Sequence, residues 1–288
     1  MLKGMAGART IDELLARARP RLAAAPFGPS TREAALLLGH VLGLSEAQVL
    51  ARGDEPVGEI PRRRFLALLE RRLGGEPVAY LVGEREFYGR SFAVDRRVLV
   101  PRPETEHLAE AALAARLPSS PRILDLGTGS GCLAVTLALE LPAARLVASD
   151  VSPGALAVAA ANVRRWQVER RVKLVAADLF AGLDLAVFDL VVSNPPYVDR
   201  RDAPVLSPEV VDFEPELALF AADRGEAVLA RIFAGAAALR PGAQVLVEIG
   251  RGQLPSLENR LRASPLQILD AWNDYSRIPR VLRLSRRP

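Results

Sequence analysis

Asp125-Leu-Gly-Thr-Gly-Ser-Gly131 decides the fold: a short apolar run, Ile123, Leu124 and Leu126, meets a turn with glycine at every second position. A run of that length bounded by glycine predicts a buried strand, and Cys132 to Leu141 behind it has the composition of a helix. Strand, glycine loop and helix in that order bring the backbone close to a ligand at the positive end of the helix, because glycine adds no Cβ and tolerates the backbone angles required. A dinucleotide loop would place its third glycine one position later, where Cys132 stands. Taken alone, the loop is also compatible with a structural turn in some other α/β domain.

The spacing acid-x-Gly-x-Gly-x-Gly resembles the S-adenosylmethionine loop of the Rossmann-like methyltransferases. That resemblance implies that Gly127, Thr128, Gly129, Ser130 and Gly131 wrap the methionine and ribose of the cofactor. A second strand, Leu146 to Ser149, ends in Asp150, where a doubly wound fold places the acid that accepts both ribose hydroxyls. An ionised carboxylate suits this because it only accepts hydrogen bonds and can take two donors at once. Asp150 could also do no more than start the turn before Ser152-Pro153. A third strand, Val172 to Ala176, delivers Asp178 and Leu179 to the same edge, where the resemblance implies that they flank adenine.

The fourth strand, Phe188 to Ser193, leads into Asn194-Pro195-Pro196-Tyr197. Each proline fixes its own φ and pushes the residue before it to an extended shape, so Asn194 and Pro195 present their oxygens in preset directions. The Asn194 side-chain oxygen and the Pro195 carbonyl make an acceptor pair for both hydrogens of an NH2 group. Such a grip turns the nitrogen lone pair toward a methyl donor and favours the transition state over the ground state. No general base is required, and asparagine could not be one. Pro196 completes the rigid turn, and Tyr197 is expected to stack on or wall in the planar target group. An isolated Asn-Pro-Pro turn can be only a rigid loop; here it ends the fourth strand of a domain that carries the glycine loop as well. Asn194 therefore counts among the cofactor-side residues too.

Composition bounds the rest. The 288 residues, half of them hydrophobic, suffice for a large domain and a smaller one. No apolar run is long enough to span a bilayer, and Met1-Leu-Lys-Gly lacks the apolar core of a signal peptide, so a cytoplasmic protein is expected, without membrane association. The single cysteine, Cys132, excludes a disulfide framework and a cysteine-cluster zinc site, and reads as a small packing residue. With His40 and His107 the only histidines, no metal site is expected. The net charge is +4 and the pI about 9.7. Arg62-Arg63-Arg64 and the doublets at 71–72, 164–165, 170–171 and 286–287 look dispersed along solvated helix faces, so direct nucleic-acid binding is not expected.

Residues 1–76 read as a small helical domain, with candidate helices at 10–19, 30–42, 45–51 and 60–74 between loops bearing Pro26, Gly28-Pro29, Gly53 and Pro56. Ser30 and Glu33 form a candidate capping box. This domain holds no catalytic constellation, which leaves recognition or folding support. Residues 77–100 alternate apolar and polar between glycines and predict a β-hairpin linker. Residues 101–288 form the third part. Pro101-Arg-Pro-Glu-Thr-Glu106 starts its first helix, since Pro103 is tolerated in a first turn and Glu104 and Glu106 suit the helix dipole. Further on come a helix at 225–239, a strand at 244–249, a helix from Gln253 and a closing strand pair at 266–271 and 279–284.

Gly83 to Gly89 with Phe92, Pro101 to Glu106, Asp125 to Gly131 and Asn194 to Tyr197 together resemble the bacterial release factor glutamine methyltransferases. The hairpin with Pro-Arg-Pro-Glu-Thr-Glu is the most specific part, and the likeness runs from Pro77 to the C-terminus. The resemblance implies an α/β, Rossmann-like seven-stranded S-adenosylmethionine-dependent domain with an N-terminal helical bundle. It implies methylation of the glutamine amide in the Gly-Gly-Gln loop of class I peptide chain release factors, by a monomer. Two departures stand out: Phe220-Ala-Ala-Asp-Arg-Gly225 replaces a more glycine-rich stretch after Glu214-Pro215-Glu216, and Arg277 stands where the family usually has glycine. Rival readings of the same acceptor pair are a ribosomal-protein glutamine methyltransferase, a nucleic-acid amino-methyltransferase with a flipped base, and an adaptor that binds S-adenosylmethionine without catalysis.

Overall fold

The structure is a computed structural model that describes residues 9–25, 27 and 32–287. The chain divides into two compact units, one of residues 1–83 with 205–213, the other of residues 84–204 with 214–288. The first break falls seven residues after the predicted one, and a short later segment groups with the helical unit.

The helical unit carries α1 (Ile11–Ala23), α2 (Glu33–Leu42), α3 (Glu46–Ala51), α4 (Glu59–Leu73) and α5 (Val78–Val82). Thr10 with Glu13 and Ser45 with Gln48 form the capping boxes of α1 and α3. The box expected at Ser30 lies outside the described residues. Helix α1 runs through Pro20, where the sequence predicted its end. The stripe Ile11, Leu14, Leu15, Ala18 and Leu22 is buried on one face, and burial of Leu22 outweighs one backbone hydrogen bond. A correction concerns Pro77 onward: Val78–Val82 is helical and closes on Gly83 in the left-handed region, so the hairpin begins only after it. Five apolar residues carry too little periodicity to separate the two states. Arg72 is buried in this unit, paired with Glu33 at 2.7 Å and Glu209 at 2.8 Å, with its guanidinium over the Phe27 ring.

The second unit opens with the hairpin β1 (Glu84–Phe87) and β2 (Arg90–Ala93). Tyr88 and Gly89 both have positive φ in its two-residue turn, as the strand twist requires. Then follow α6 (Glu104–Leu113), β3 (Arg122–Leu126), α7 (Cys132–Glu140), β4 (Arg145–Asp150), α8 (Pro153–Arg165), β5 (Val172–Ala176) and β6 (Leu190–Ser193). The remaining elements are α9 (Pro208–Phe213, in the helical unit), α10 (Glu216–Leu219), α11 (Ala227–Ala236), β7 (Gln244–Glu248), α12 (Leu254–Arg262), β8 (Leu266–Asn273) and β9 (Pro279–Arg286).

Seven strands form one sheet in the order β5-β4-β3-β6-β7-β9-β8, and β9 alone runs antiparallel to its neighbours. The Rossmann-like expectation holds. Helices α6, α7 and α8 contribute to one apolar layer, and α11 and α12 to the other. The central strands are accordingly apolar on both faces: Ile123, Leu124 and Leu126 are shut away from solvent, as are Leu190, Val191 and Val192. Connections leave β3 toward β4 and β5 on one side, and the chain resumes on the other side at β6. That reversal opens a crevice at the carboxyl ends of β3 and β6, which pair in register as Leu126 with Ser193.

Candidate functional site

The two quoted motifs meet at that crevice, which is a cavity of about 290 Å³. Gly127, Thr128, Gly129 and Ser130 line it from the end of β3, Asp150 from the end of β4, Asp178 and Leu179 from the loop after β5, and Asn194 and Pro196 from the end of β6. Gly127 and Gly129 have φ of +69° and +55°, and a Cβ on either would meet nothing within 4 Å. The loop is therefore glycine for backbone shape and open on its ligand side, a cradle that side chains would fill. The seryl hydroxyls of the flanking strands tie these ends together, Ser193 to the Leu126 carbonyl at 2.8 Å and Ser149 to that of Asp125 at 3.4 Å.

Asp150 accepts the Gly129 N–H and the Ser152 N–H, both at 2.9 Å, one on each carboxylate oxygen. It thus shapes the loop and faces the cavity at the same time, with lone pairs left for hydroxyl donors. Asp178 is half exposed and paired with Arg231 at 2.7 Å; both line the cavity. Leu179 adopts φ +52°, strain that a residue other than glycine holds only where its surroundings demand it.

Gly131 carries a packing constraint of its own. It is absent from the cavity lining, caps α7 at φ +78°, and a Cβ there would lie 3.1 Å from that of Ala159. Its glycine is needed for helix packing. Tyr197 is likewise off the lining: its hydroxyl donates to Glu248 at 3.1 Å, and its ring lies so near Gly250 that a Cβ there would be 3.1 Å away. Its hydroxyl and ring therefore anchor the turn. Pro195 is buried, and its neighbours Asn194 and Pro196 line the cavity on either side of it in the chain.

Residues that the sequence did not single out hold these motifs in place. Asn194 donates its Nδ2 to the Thr105 hydroxyl at 2.9 Å, which leaves Oδ1 as the acceptor of the amide. Thr105 lies one residue into α6, so the Pro-Arg-Pro-Glu-Thr-Glu start of that helix sets the orientation of the asparagine. Glu248, fully buried at the end of β7, receives Tyr197; burial pushes its carboxyl up to about 7, against the hydrogen bonds of Thr105 and Tyr197. Burial, helped by Glu248, also raises the Tyr197 phenol. The Tyr197 carbonyl is held by Gln253 Nε2 at 3.2 Å, and a Cβ at Gly225 would strike that carbonyl at 2.0 Å. The departure at Phe220 to Gly225 thus keeps the one glycine the turn needs, reached through Asp223, Arg224 and Gly225, all at positive φ.

Glu214 is buried, accepts the Val100 N–H at 3.1 Å and pairs with Arg102 at 2.6 Å, fastening the cavity wall around Pro101. Asp125 accepts the Thr128 hydroxyl at 2.6 Å; burial lifts its carboxyl to about 7, with the charge of Asp150 adding to the rise. Cys132 lines the cavity, but burial pushes its thiol up to about 12, so it is a packing residue as expected. Asn162, buried on α8, donates to the Ser130 and Ala93 carbonyls and accepts the Ala93 N–H, which joins the glycine loop to the hairpin. Among the described residues there is no cluster able to hold a metal ion, and no helix is long and apolar enough to cross a membrane.

Comparison with known proteins adds two family models: one described as the PrmC N-terminal domain matches residues 13–83, and one described as the methyltransferase small domain matches residues 106–210. The chain is 44% identical to a release factor glutamine methyltransferase of Cereibacter sphaeroides, over 90% of this chain and 91% of that one. It is 42% identical to a protein of the same name from Chlorobaculum tepidum, over 86% and 88%. Among solved structures it resembles a methyltransferase from Pyrococcus furiosus, with a TM-score of 0.53 at 17% identity over 75% and 96% of the two chains. A ribosomal protein L11 methylase from Lactobacillus delbrueckii matches with a TM-score of 0.50 at 23% identity over 68% and 84%. At those identities the structural likeness speaks for the fold alone.

Proposed function

The chain belongs to the release factor glutamine methyltransferase family, and we propose that the crevice at the ends of β3 and β6 is where its reaction takes place. The reaction transfers a methyl group from S-adenosylmethionine to the side-chain amide nitrogen of the glutamine in the Gly-Gly-Gln loop of class I peptide chain release factors.

The observation that carries this reading is the fixed amide of Asn194 facing a glycine loop built open for a ligand. Gly127 to Ser130 would hold the cofactor through backbone, Asp150 through its ribose, and Asp178 and Leu179 beside its adenine. When bound, S-adenosylmethionine supplies an electrophilic methyl group on a sulfonium. Asn194 Oδ1 and the Pro195 carbonyl accept the two N–H groups of the target amide and so hold its lone pair along the line of transfer. Thr105 keeps Asn194 from turning its NH2 toward the substrate, where two donors would meet two donors. With the cofactor in place, the nitrogen lone pair would form the new N–C bond as the methyl–sulfur bond breaks, its electron pair remaining on sulfur as a neutral thioether, and one of the two amide protons would pass to water.

The helical unit would recognise a part of the release factor away from the glutamine, because a single side chain in a small cavity offers few contacts. Two modest patches on one chain reinforce each other through effective concentration. The protein would act as a single chain in the cytoplasm. Incubation with labelled S-adenosylmethionine and, in parallel, purified release factor, a ribosomal protein mixture or DNA tests the reading. Label should enter release factor and be lost when its Gly-Gly-Gln glutamine is replaced; label in either other arm instead refutes it.

A further inference from the structure

At the opposite end of the same sheet, where the strands begin, lies a second cavity of about 680 Å³. Arg122 opens β3, Arg145 opens β4 and Lys173 stands second in β5. Arg122 pairs with Arg145, Leu124 with Val147, and Val147 with Lys173, so parallel register puts all three cations on the face that carries Leu124 and Val147. Arg164, Arg170 and Arg171 join them in the lining, and Glu169 is its one acid. The fold therefore gathers side chains that look dispersed in the sequence.

Several arginines elsewhere in this unit are paired with acids: Arg90 with Glu140, Arg97 with Asp95, Arg200 with Glu216, Arg231 with Asp178 and Arg260 with Asp223. In the cavity, Arg171 donates to the Ala138 and Leu141 carbonyls and so completes the end of α7. Arg164 sits in the last turn of α8, where a cation suits the helix dipole. Neither duty covers Arg122, Arg170 or Lys173, whose side chains have no hydrogen-bond or ion-pair partner among the described residues. Like charges directly opposite on neighbouring strands repel, so Arg122 beside Arg145 costs stability that an anion would relieve.

We propose that this groove binds the phosphodiester backbone of a single nucleic-acid strand. Strands about 4.8 Å apart, with Lys173 two residues further along its strand, set the three cations in a staggered line about 12 Å long. A nucleic-acid strand answers such a row because every nucleotide carries a charge, whereas an extended peptide turns alternate side chains away and needs an acid at each remaining position. Val147 and Val187 in the lining offer apolar surface for the sugars between phosphates. The row opens β3 and β4, whereas the catalytic crevice lies at their other ends, so occupancy of one leaves the other free.

The test is fluorescence anisotropy of a labelled twelve-residue oligouridylate with the full chain. Binding should weaken with salt, the logarithm of affinity falling by about 0.7 per phosphate neutralised for each decade of salt, hence a slope of about −2 to −3. The triple variant Arg122→Gln, Arg145→Gln, Lys173→Gln should bind at least tenfold more weakly, melt no lower than the parent and keep its methylation of release factor. Arg62→Gln, Arg63→Gln, Arg64→Gln, in the helical unit, should bind like the parent. No binding at low salt, an unaffected triple variant, or loss in the helical-unit variant overturns the proposal. So does equal competition by polyglutamate, which would mark an acidic-peptide groove, or by inorganic tripolyphosphate, which would mark a small-ligand site. Because methylation is read separately, its failure on release factor would refute the enzyme reading without touching this one.

Discussion

The glycine loop after β3 and the proline turn after β6 end neighbouring strands, yet they reach a fixed shape by opposite means. Gly127 and Gly129 take backbone angles that other residues avoid, and the loop offers bare backbone with no side chain over it. Asn194-Pro195-Pro196 has two residues without an N–H, and that turn offers oxygens. The difference in cost follows. A permissive loop must be held from outside, which Asp150 and Asn162 do by hydrogen bonding the backbone at Gly129 and Ser130. A proline turn holds itself and needs only anchoring at its ends, which Thr105 supplies at Asn194, and Glu248 and Gln253 at Tyr197.

If the proline turn makes the chemistry and the glycine loop the affinity, variants should separate the two. Asn194→Ala removes an acceptor from a preorganised pair and should lower the methylation rate at least about 100-fold, with a much smaller loss of cofactor affinity; single-turnover assays and calorimetry on the same preparation decide it. Gly225→Ala drives a Cβ into the Tyr197 carbonyl at 2.0 Å and forces alanine to φ +81°, which should cost about 3 kcal/mol of stability and displace the turn. Denaturant melts would register the loss, and cofactor affinity should fall less than turnover. Asp150→Ala should do the reverse, weakening cofactor binding by about 1.5 to 3 kcal/mol while turnover at saturating cofactor changes less. Loss of turnover with intact affinity would contradict that assignment.

The smallest effect concerns pH. The Glu248 carboxyl has its ordinary value of 4.5 raised to about 7 by burial, so the folded state keeps a proton that the unfolded chain releases near pH 4.5. Its contribution to stability is complete below pH 4.5 and lost as pH rises through 7. Glu248→Gln cannot ionise and should melt above the parent at pH 8, with no such advantage at pH 4.5. A constant difference across that range would show that the carboxyl is not the group titrating.

Legibility in the sequence followed locality. The β3 loop, Asp150, β5 and the proline turn are each written in a few consecutive residues, where apolar runs, glycine and proline act directly on the backbone. What stayed hidden depends on chain segments brought together by the fold. Thr105 reaches Asn194 across 89 positions, and Tyr197 reaches Glu248 across 51. The anchoring by Tyr197 was hidden because an aromatic after Pro-Pro has no sequence mark of where its hydroxyl goes. The packing constraint on Gly131 was hidden because a packing glycine and a cradle glycine are the same letter. Arg277 also belongs here: it keeps the glycine-like φ of +62° in the β8–β9 turn, stabilised by Asp274 accepting the Ser276 and Ile278 N–H groups.

The pairing of β3 with β6 carries a consequence for the order of assembly. Their sequence separation, 67 positions from Leu126 to Ser193, means that the glycine loop exists in the growing chain long before the proline turn. A nascent chain that has folded β3, β4 and β5 holds half of a binding site and none of its chemistry, and the second half arrives only when a distant strand inserts at the centre of the sheet. Non-local pairing of this kind is slow. Ligand binding is then a report on completed folding, and the cofactor adds its binding energy to the finished sheet alone.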